Sequence, residues 1–281
     1  MSWQTFWGTE AAWGWLSPGA EGGPFAVLTA IVLGLCLGSF LNVLIHRMPR
    51  RESVVWPSSH CPLCRHRLAP WENVPLVSYL VLRGRCHACR ASISWRYPIV
   101  EVLAGAVAGI AAAWLGVGVA AVGFLFFTLC LLAVAWIDAA HRIIPDELSL
   151  ALFAGGVLVR GATLEGAAVA LLGAALGFGA LYGVAWAYRA ARGVDGLGGG
   201  DIKLAAGLGA FLGPPGVLMT VVLAAAAGSV VGGVLVASGR GDGKTALPFA
   251  TFLAPCAVLV LVSGLHLWRA YLALAGLDGT P

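Results

Sequence analysis

The chain has 281 residues, of which 59% are hydrophobic and only 11% are charged. With a mean hydropathy of +0.89 it is far more apolar than a soluble domain of its length, which excludes a soluble enzyme and predicts a multi-pass membrane protein. The net charge is only +4, but nine of the fifteen arginines lie in residues 47–96.

Residues 1–24 contain no Lys or Arg and do not look like a secretory signal, which would begin with a basic segment. Their tryptophans are typical of an aromatic belt at a membrane interface: Trp3, Trp7, Trp13 and Trp15. We therefore expect an external interfacial segment followed by a retained first span at 25–45. The arginine-rich segment that follows then lies in the cytoplasm, with the N-terminus outside, because positive charge stays on the cytoplasmic side.

Residues 46–98 form the long polar stretch of the chain and contain two cysteine pairs, Cys61 with Cys64 and Cys86 with Cys89. Two such pairs can supply the four thiolates of a closed, structural zinc site, which a reducing cytoplasm favours over disulfides. His60, His66 and His87 lie beside these cysteines and are alternative ligands, less favoured because four thiolates are available. A topology signal and lipid headgroup contact explain the arginines better than a nucleic-acid partner does.

Residues 99–281 continue as apolar runs, so the sequence predicts an all-α membrane core with about eight spans in total. They lie at 25–45, 99–115, 119–137, 148–160, 166–188, 202–212, 216–237 and 247–268. The two shortest, 148–160 and 202–212, are tilted or partly re-entrant candidates. Glycines at small-residue spacing, including Gly173, Gly177, Gly228 and Gly232, indicate close helix packing in lipid. Basic residues fall mostly at predicted cytoplasmic ends: Arg142, Arg189, Arg192, Lys203, Arg240 and Lys244.

Carboxylates at the edges of apolar runs are costly in a membrane and are therefore functional candidates. Asp138 closes the third predicted span and Asp201 opens the sixth, and both ends face the cytoplasm if the spans alternate in direction. Two carboxylates that meet at one depth can share a proton, so that one acts as a base toward water while the other polarises a peptide carbonyl. This arrangement predicts an aspartyl peptidase.

Glycines precede the second acid at 198–200, where we expect them to permit unusual backbone conformations and the close approach of an extended substrate. Structural alternatives stay open for each acid. In the structural alternative, Asp138 or Asp146 is an ordinary residue at a helix boundary or an N-cap, and Asp201 caps its helix or pairs with Lys203.

Several motifs follow one another along the chain. They are the run from Gly38 to Pro49, the two cysteine pairs around 70–78, the runs 93–101 and 137–146, and Gly-Gly-Gly-Asp-Ile-Lys at 198–203. In this order they closely resemble the bacterial type IV prepilin peptidases. The resemblance implies an inner-membrane enzyme that cuts the leader from prepilins and type II secretion pseudopilins, then N-methylates the new terminus with S-adenosylmethionine. It implies that Asp138 and Asp201 are catalytic. Gly198, Gly200, Asp146 and Lys203 then have supporting roles.

One motif departs from the family pattern. The sequence Pro-Phe-Gly-Pro, usual near the last span, appears here as Pro-Phe-Ala-Thr at 248–251.

For methyl transfer the candidate is Glu101, which would bind the sulfonium or the new ammonium group. An equally good alternative makes Glu101 a helix-start acid paired with Arg96.

A transporter or assembly scaffold with a zinc docking domain is the rival class. Transporter sites lie near the bilayer midplane on broken helices, whereas Asp138 and Asp201 lie at predicted span ends. Their position favours the peptidase.

Overall fold

The structure is a computed structural model that describes residues 14–16, 22–194, 196–240, 247–274 and 276. Throughout these ranges the regular elements are helices and no strand is formed. We name the α-helices in chain order: α1 Pro24–Arg47, α2 Val77–Val81, α3 Arg96–Leu115, α4 Val119–His141, α5 Asp146–Arg160, α6 Leu164–Arg192, α7 Gly199–Ala237 and α8 Ala250–Leu274. The chain divides into two compact units, Pro18–Ala133 and Met1–Ser17 with Val134–Pro281.

Six helices in the described part of the chain are long and apolar enough to cross a membrane: α1, α3, α4, α6, α7 and α8. This confirms the all-helical, multi-pass fold. The predicted number of about eight spans is not confirmed. The fourth predicted span, 148–160, corresponds to α5, which has only 15 residues. The sixth and seventh predicted spans, 202–212 and 216–237, both lie within α7.

Helix α7 is interrupted at Gly213, whose φ of 71° and ψ of 178° are not helical. Glycine tolerates this positive φ, and Pro214 and Pro215 directly after it cannot continue the hydrogen-bond ladder. Val221 packs against the cluster that contains Ile202. On a straight helix these two residues would be about 28 Å apart. The chain therefore reverses at Gly213, and we call residues 199–212 the first arm and residues 214–237 the second arm.

The first arm is packed between α5 and α6 through glycines. A Cβ added at Gly207 would meet the Leu152 Cβ of α5 at 2.8 Å, and one added at Gly209 would collide with the Gly173 carbonyl of α6. Small residues let membrane helices approach at backbone distance. The arm that begins with Asp201 is thus fixed on both sides.

The packing role predicted for the glycine pairs is confirmed for one pair. Gly177, like Gly173, lies directly against the first arm, where a Cβ would collide with the Ala205 carbonyl. Gly228 and Gly232 would meet their nearest neighbours at only 3.7 and 3.4 Å. Those are ordinary contacts, so glycine is not required there for close packing.

In the Pro18–Ala133 unit, α1 packs against α3 through Gly34 and Gly38, which leave no room for a Cβ. The amide of Asn42 on α1 donates to the Gly38 carbonyl at 3.3 Å and to the Tyr97 carbonyl of α3 at 3.1 Å. At the C-terminal end of α1, the buried Arg47 donates to the carbonyls of Ser53 and Pro57. These bonds fix the start of the cysteine-containing segment.

Of the tryptophans predicted to form an interfacial belt, Trp3, Trp7 and Trp13 lie outside the described residues, as does Lys244. Trp15 belongs to a short 3₁₀ turn, Gly14–Leu16. Its ring centroid lies 5.9 Å from that of Phe211, near the end of the first arm. Phe211 is about 15 Å along the arm from Asp201, so Trp15 packs far from the acidic pair.

Candidate functional site

Asp138 and Asp201 line one cleft of about 280 Å³. Asp138 lies near the end of α4 and Asp201 in the first turn of α7. The remaining walls come from the α4–α5 connection and from the start of α7: Arg142, Ile143, Ile144, Asp146, Gly198, Gly199 and Gly200.

The Asp138 side chain is held by the start of α8. Its residue is only 5% exposed, and Oδ2 accepts hydrogen bonds from the Thr251 backbone N–H at 3.0 Å and from the Thr251 hydroxyl at 3.3 Å. Two donors on one oxygen fix the carboxyl plane and favour a negative charge on it. Asp138 is therefore a positioned carboxylate rather than an ordinary helix-boundary residue.

The glycines before Asp201 make room for its carboxyl group. A Cβ at Gly198 would lie 3.0 Å from Asp201 Oδ2, and one at Gly200 would lie 3.0 Å from the Ile144 Cβ. A Cβ at Gly199 would meet nothing within 4 Å. The expectation of unusual backbone conformations is wrong, because none of the three has a positive φ and Gly198 itself has φ −70° and ψ 140°. Space for neighbouring side chains, not conformational freedom, explains the first and third glycines.

Lys203 pairs with Asp146 rather than with Asp201. Its Nζ donates to both carboxylate oxygens, at 2.7 and 2.9 Å. Both side chains are more than half exposed, so the pair contributes at most about 1 kcal/mol to stability. Its effect is geometric, because it joins the first turn of α5 to the first turn of α7 beside the cleft.

Three residues of the cleft lining, Arg142, Ile143 and Ile144, and the neighbouring Thr251 were not predicted as site residues. Arg142 follows α4 with a φ of 55° and lines the cleft. Thr251 binds Asp138, as described above. The signal for Thr251 was present in the departure from Pro-Phe-Gly-Pro at 248–251, but a sequence alone does not show which side chain that segment contacts.

The four cysteines are brought together as predicted. Cys61 Sγ lies 3.8 Å from Cys89 Sγ, Cys64 Sγ lies 3.9 Å from Cys86 Sγ, and all four sulfurs are within 4.8 Å of one another. A tetrahedral zinc ion with Zn–S bonds of about 2.3 Å separates its sulfurs by about 3.8 Å. The backbone N–H of Cys64 also lowers the pKa of the Cys61 thiol to about 7. The four cysteines fit a structural zinc ion.

The cysteine pairs lie in two matching loops, 60–67 and 85–92, offset by 25 residues. Each loop is closed by an isolated antiparallel bridge between its end residues. In each, the residue after the second cysteine, Arg65 or Arg90, has a positive φ and donates its N–H to the carbonyl of the first cysteine, at 2.9 and 3.0 Å. The cysteine spacing alone does not predict this shared backbone path.

Glu101 on α3 is 7% exposed, and its Oε2 accepts the N–H of Leu76 at 2.8 Å. Leu76 has a φ of 59°, so this bond holds a strained turn against the helix. The alternative pairing with Arg96 is not what the structure shows, since that guanidinium lies 4.9 Å above the Tyr97 ring. The same unit contains a cleft of about 310 Å³ that follows α1 and is lined by Arg47, Glu52, Ser53, Trp56, Pro57 and His60.

The helical bundle, with six helices long and apolar enough to cross a membrane in the described residues and two acids at one cleft, defines a multi-pass membrane protein with a carboxylate-lined cleft. Residues 32–115 match the Bacterial Peptidase A24 N-terminal domain, and residues 125–233 match the Type IV leader peptidase family. The chain belongs to the type IV leader peptidase family, which confirms the resemblance seen in its motifs.

Curated relatives cover nearly the whole chain. A prepilin leader peptidase/N-methyltransferase of Stutzerimonas stutzeri is 38% identical over 278 residues, which is 89% of this chain and 95% of the relative. Proteins of the same name from Pseudomonas aeruginosa and Neisseria gonorrhoeae are 37% and 34% identical, each over 94% of its own length and over 89% and 88% of this chain. No solved structure matches the chain.

We expect the purified protein to lose the zinc of the four-thiolate site when Cys61 or Cys89 is replaced by Ser, because three thiolates cannot complete the shell. Cys36→Ser is the matched control, since Cys36 is a free cysteine on α1 outside the quartet. Elemental analysis of zinc per chain checks this. Equal zinc content in the Cys61→Ser, Cys36→Ser and wild-type proteins would show that the quartet is not the site.

Proposed function

We propose that this chain cleaves the leader peptide of prepilins and of type II secretion pseudopilins by aspartyl-dyad catalysis and then N-methylates the new terminus. The observation that carries the proposal is the shared cleft of Asp138 and Asp201 beside the glycines at 198–200. Membership of the family and the names of its relatives support the same activities.

In the proposed mechanism the two acids of the cleft share one proton, because two carboxylates that meet at one site do not both ionise near neutral pH. We assign the negative charge to Asp138, whose Oδ2 accepts both Thr251 hydrogen bonds, and the proton to Asp201. Asp138 takes a proton from water as the water oxygen attacks the scissile carbonyl carbon. Asp201 donates its proton toward the carbonyl oxygen. Breakdown of the tetrahedral adduct breaks the C–N bond, and a proton passes to the leaving amine.

The cleft position also fits the substrate class. Asp138 and Asp201 lie at helix ends, and the cleft between them is open. We therefore place peptide cleavage where the cytoplasm meets the membrane, with the leader segment outside the lipid. The same position disfavours an ion-coupled transporter, whose site would be enclosed near the bilayer midplane.

We propose the inner membrane as the location, with the N-terminus outside and residues 46–98 as a cytoplasmic zinc domain in contact with lipid headgroups. Residues 1–24 are then the external segment, 25–45 the first span and 99–281 the peptidase core. The concentration of arginines in 47–96 supports this orientation.

We place methyl transfer in the Pro18–Ala133 unit. S-adenosylmethionine, when bound, supplies an electrophilic methyl group, and a cationic sulfonium is matched by carboxylate or aromatic surroundings. Glu101 is the proposed acidic group, with one oxygen already used by Leu76. The cleft with Glu52 and Trp56 combines a carboxylate with an aromatic ring, and it is the second place proposed for S-adenosylmethionine.

Replacing either catalytic acid tests the peptidase directly. We expect Asp138→Asn and Asp201→Asn each to lower the cleavage rate at least about 100-fold, and the double variant to lose little more, because the two acids act as one unit. The measurement is mass spectrometry of a prepilin N-terminus after incubation with the enzyme in detergent, which reports the cut and the methyl group together. Asp146→Asn is the control, with a much smaller expected effect. Equal processing by Asp201→Asn and wild type would disprove the assignment.

The space beside Asp201 can be tested with two neighbouring glycines. We expect Gly198→Ala to lower kcat about tenfold or more, because its Cβ would press on Asp201 Oδ2. Gly199→Ala makes the same chemical change in the same turn with no neighbour to displace, so its kcat should stay within about twofold of wild type. Equal losses of kcat in the two variants would contradict this explanation, because they would show that glycine is needed for the backbone turn and not for the space around the Asp201 carboxyl group.

Methyl transfer should be separable from cleavage. We expect Glu101→Gln to leave prepilin cleavage unchanged while the cut product accumulates without its methyl group, since glutamine keeps the acceptor for Leu76 and removes the charge. Glu52→Gln is the comparison in the second cleft. Full methylation by Glu101→Gln together with a defect in Glu52→Gln would assign the donor to that cleft instead.

A further inference from the structure

A second group of possible metal ligands lies in the zinc domain, outside the four thiolates. It consists of His66, Glu72 and His87, whose donor atoms lie within 4.8 Å of one another. His66 Nε2 is 3.1 Å from Glu72 Oε2, and His87 Nδ1 is 3.6 Å from Glu72 Oε1. Each histidine comes from a different cysteine loop. His66 lies two residues after Cys64 in the loop 60–67, and His87 directly follows Cys86 in the loop 85–92.

Glu72 is buried in an arrangement that leaves one of its oxygens without a partner. Its side chain is only 1% exposed, and Oε2 accepts the Ala69 N–H at 2.7 Å. The backbone N–H of Ala69 and, to a smaller extent, His66 hold the pKa of Glu72 below its ordinary value. Oε1 is also buried, yet it has no hydrogen-bond partner among the described residues. Leaving a buried carboxylate oxygen unsatisfied is costly, so the arrangement calls for a cation at Oε1.

The geometry of the group suits a tetrahedral ion bound at Oε1. Zinc bound to imidazole nitrogen and carboxylate oxygen at about 2.0–2.1 Å places neighbouring ligand atoms about 3.3 Å apart. His87 Nδ1 lies 3.6 Å from Oε1, close to that value, and one donor atom from each of the three residues lies within 4.8 Å of the others. The 3.1 Å separation joins His66 to the other oxygen, Oε2, and is explained by a hydrogen bond, whereas His87 approaches Oε1 without forming one.

The surroundings of the group also suit a metal. The His66 and His87 side chains are 34% and 54% exposed, so an ion has a path from solvent and a free position for water. The Trp71 ring stands edge-on to His87 with centroids 5.4 Å apart, which restricts the imidazole orientation. Two neutral imidazoles and one carboxylate leave an ion of charge +2 with a net charge of +1, which an exposed open position tolerates.

We propose that His66, Glu72 and His87 form a second divalent metal site, of zinc type, with three protein ligands and one open position. The ion links both cysteine loops to the 3₁₀ turn Pro70–Asn73 that contains Glu72. It is distinct from the thiolate site, whose shell is complete with four sulfurs. The proposal does not depend on the peptidase assignment.

The test counts metal on the full-length protein, purified in detergent with a tag that contains no histidine. After saturation with zinc and removal of the free metal, we expect about two zinc ions per wild-type chain and about one in His66→Ala, in His87→Ala and in Glu72→Gln. His60→Ala is the matched control, because His60 borders the same loop but lies outside the group, and it should keep two.

Cobalt substitution shows whether the variants are folded. The intense thiolate-to-cobalt absorption of the four-cysteine site should be unchanged in His87→Ala, while one equivalent of weaker nitrogen- and oxygen-bound cobalt is lost. A wild-type protein that binds a single zinc overturns the proposal and leaves the group as a hydrogen-bonded cluster that only orients the histidines. So does a His87→Ala protein that still binds two ions with its thiolate absorption intact.

Discussion

Like-charge repulsion between two carboxyl groups sets the requirements for this structure. Asp138 and Asp201 come from helices far apart in sequence, and neither would stay near the other without support. Asp138 is held by Thr251, and the arm that begins with Asp201 is fixed between α5 and α6 through backbone-level glycine contacts. The Lys203–Asp146 pair adds a link across the cleft rim. The supports therefore act mainly on position, which is what the proposed shared-proton mechanism requires.

The departure at 248–251 is informative when the contact is known. Thr251 lies in the first turn of α8, where proline is well tolerated because the N–H is not needed by the helix. In this chain that N–H, with the hydroxyl group, binds Asp138 instead. A proline at the same position would rigidify the helix start but could offer neither hydrogen bond. This chain thus holds the buried Asp138 with two donors from Thr251, at a position where the pattern described above has proline.

Much of the site could be predicted because its signals are local. Acids at the edges of apolar runs pointed to Asp138 and Asp201, and cysteine spacing predicted the metal quartet. What failed depends on contacts between distant segments. The partner of Lys203 is Asp146, and the reason for Gly198 is the volume of a carboxyl group rather than backbone freedom. The matching cysteine loops share little beyond their cysteines and one arginine, so their common backbone path is visible only in three dimensions. The span count has another cause: hydropathy did separate 202–212 from 216–237 at the break, but apolar character alone does not show whether segments as short as the 15-residue α5 cross a membrane.

The break at Gly213 has a consequence for where the chain finally emerges. The first arm rises only about 21 Å, less than the roughly 30 Å of a hydrocarbon core, so its bend is enclosed by protein at depth, as buried glycine and prolines there indicate. Because the second arm runs back beside the first, the chain returns toward the side where the first arm begins. Helix α8 can therefore start beside the two acids. An unbroken rod of the same length would deliver that start to the far leaflet. The Gly213 break with its two prolines thus brings the start of α8 back to the end of the arm that carries Asp201.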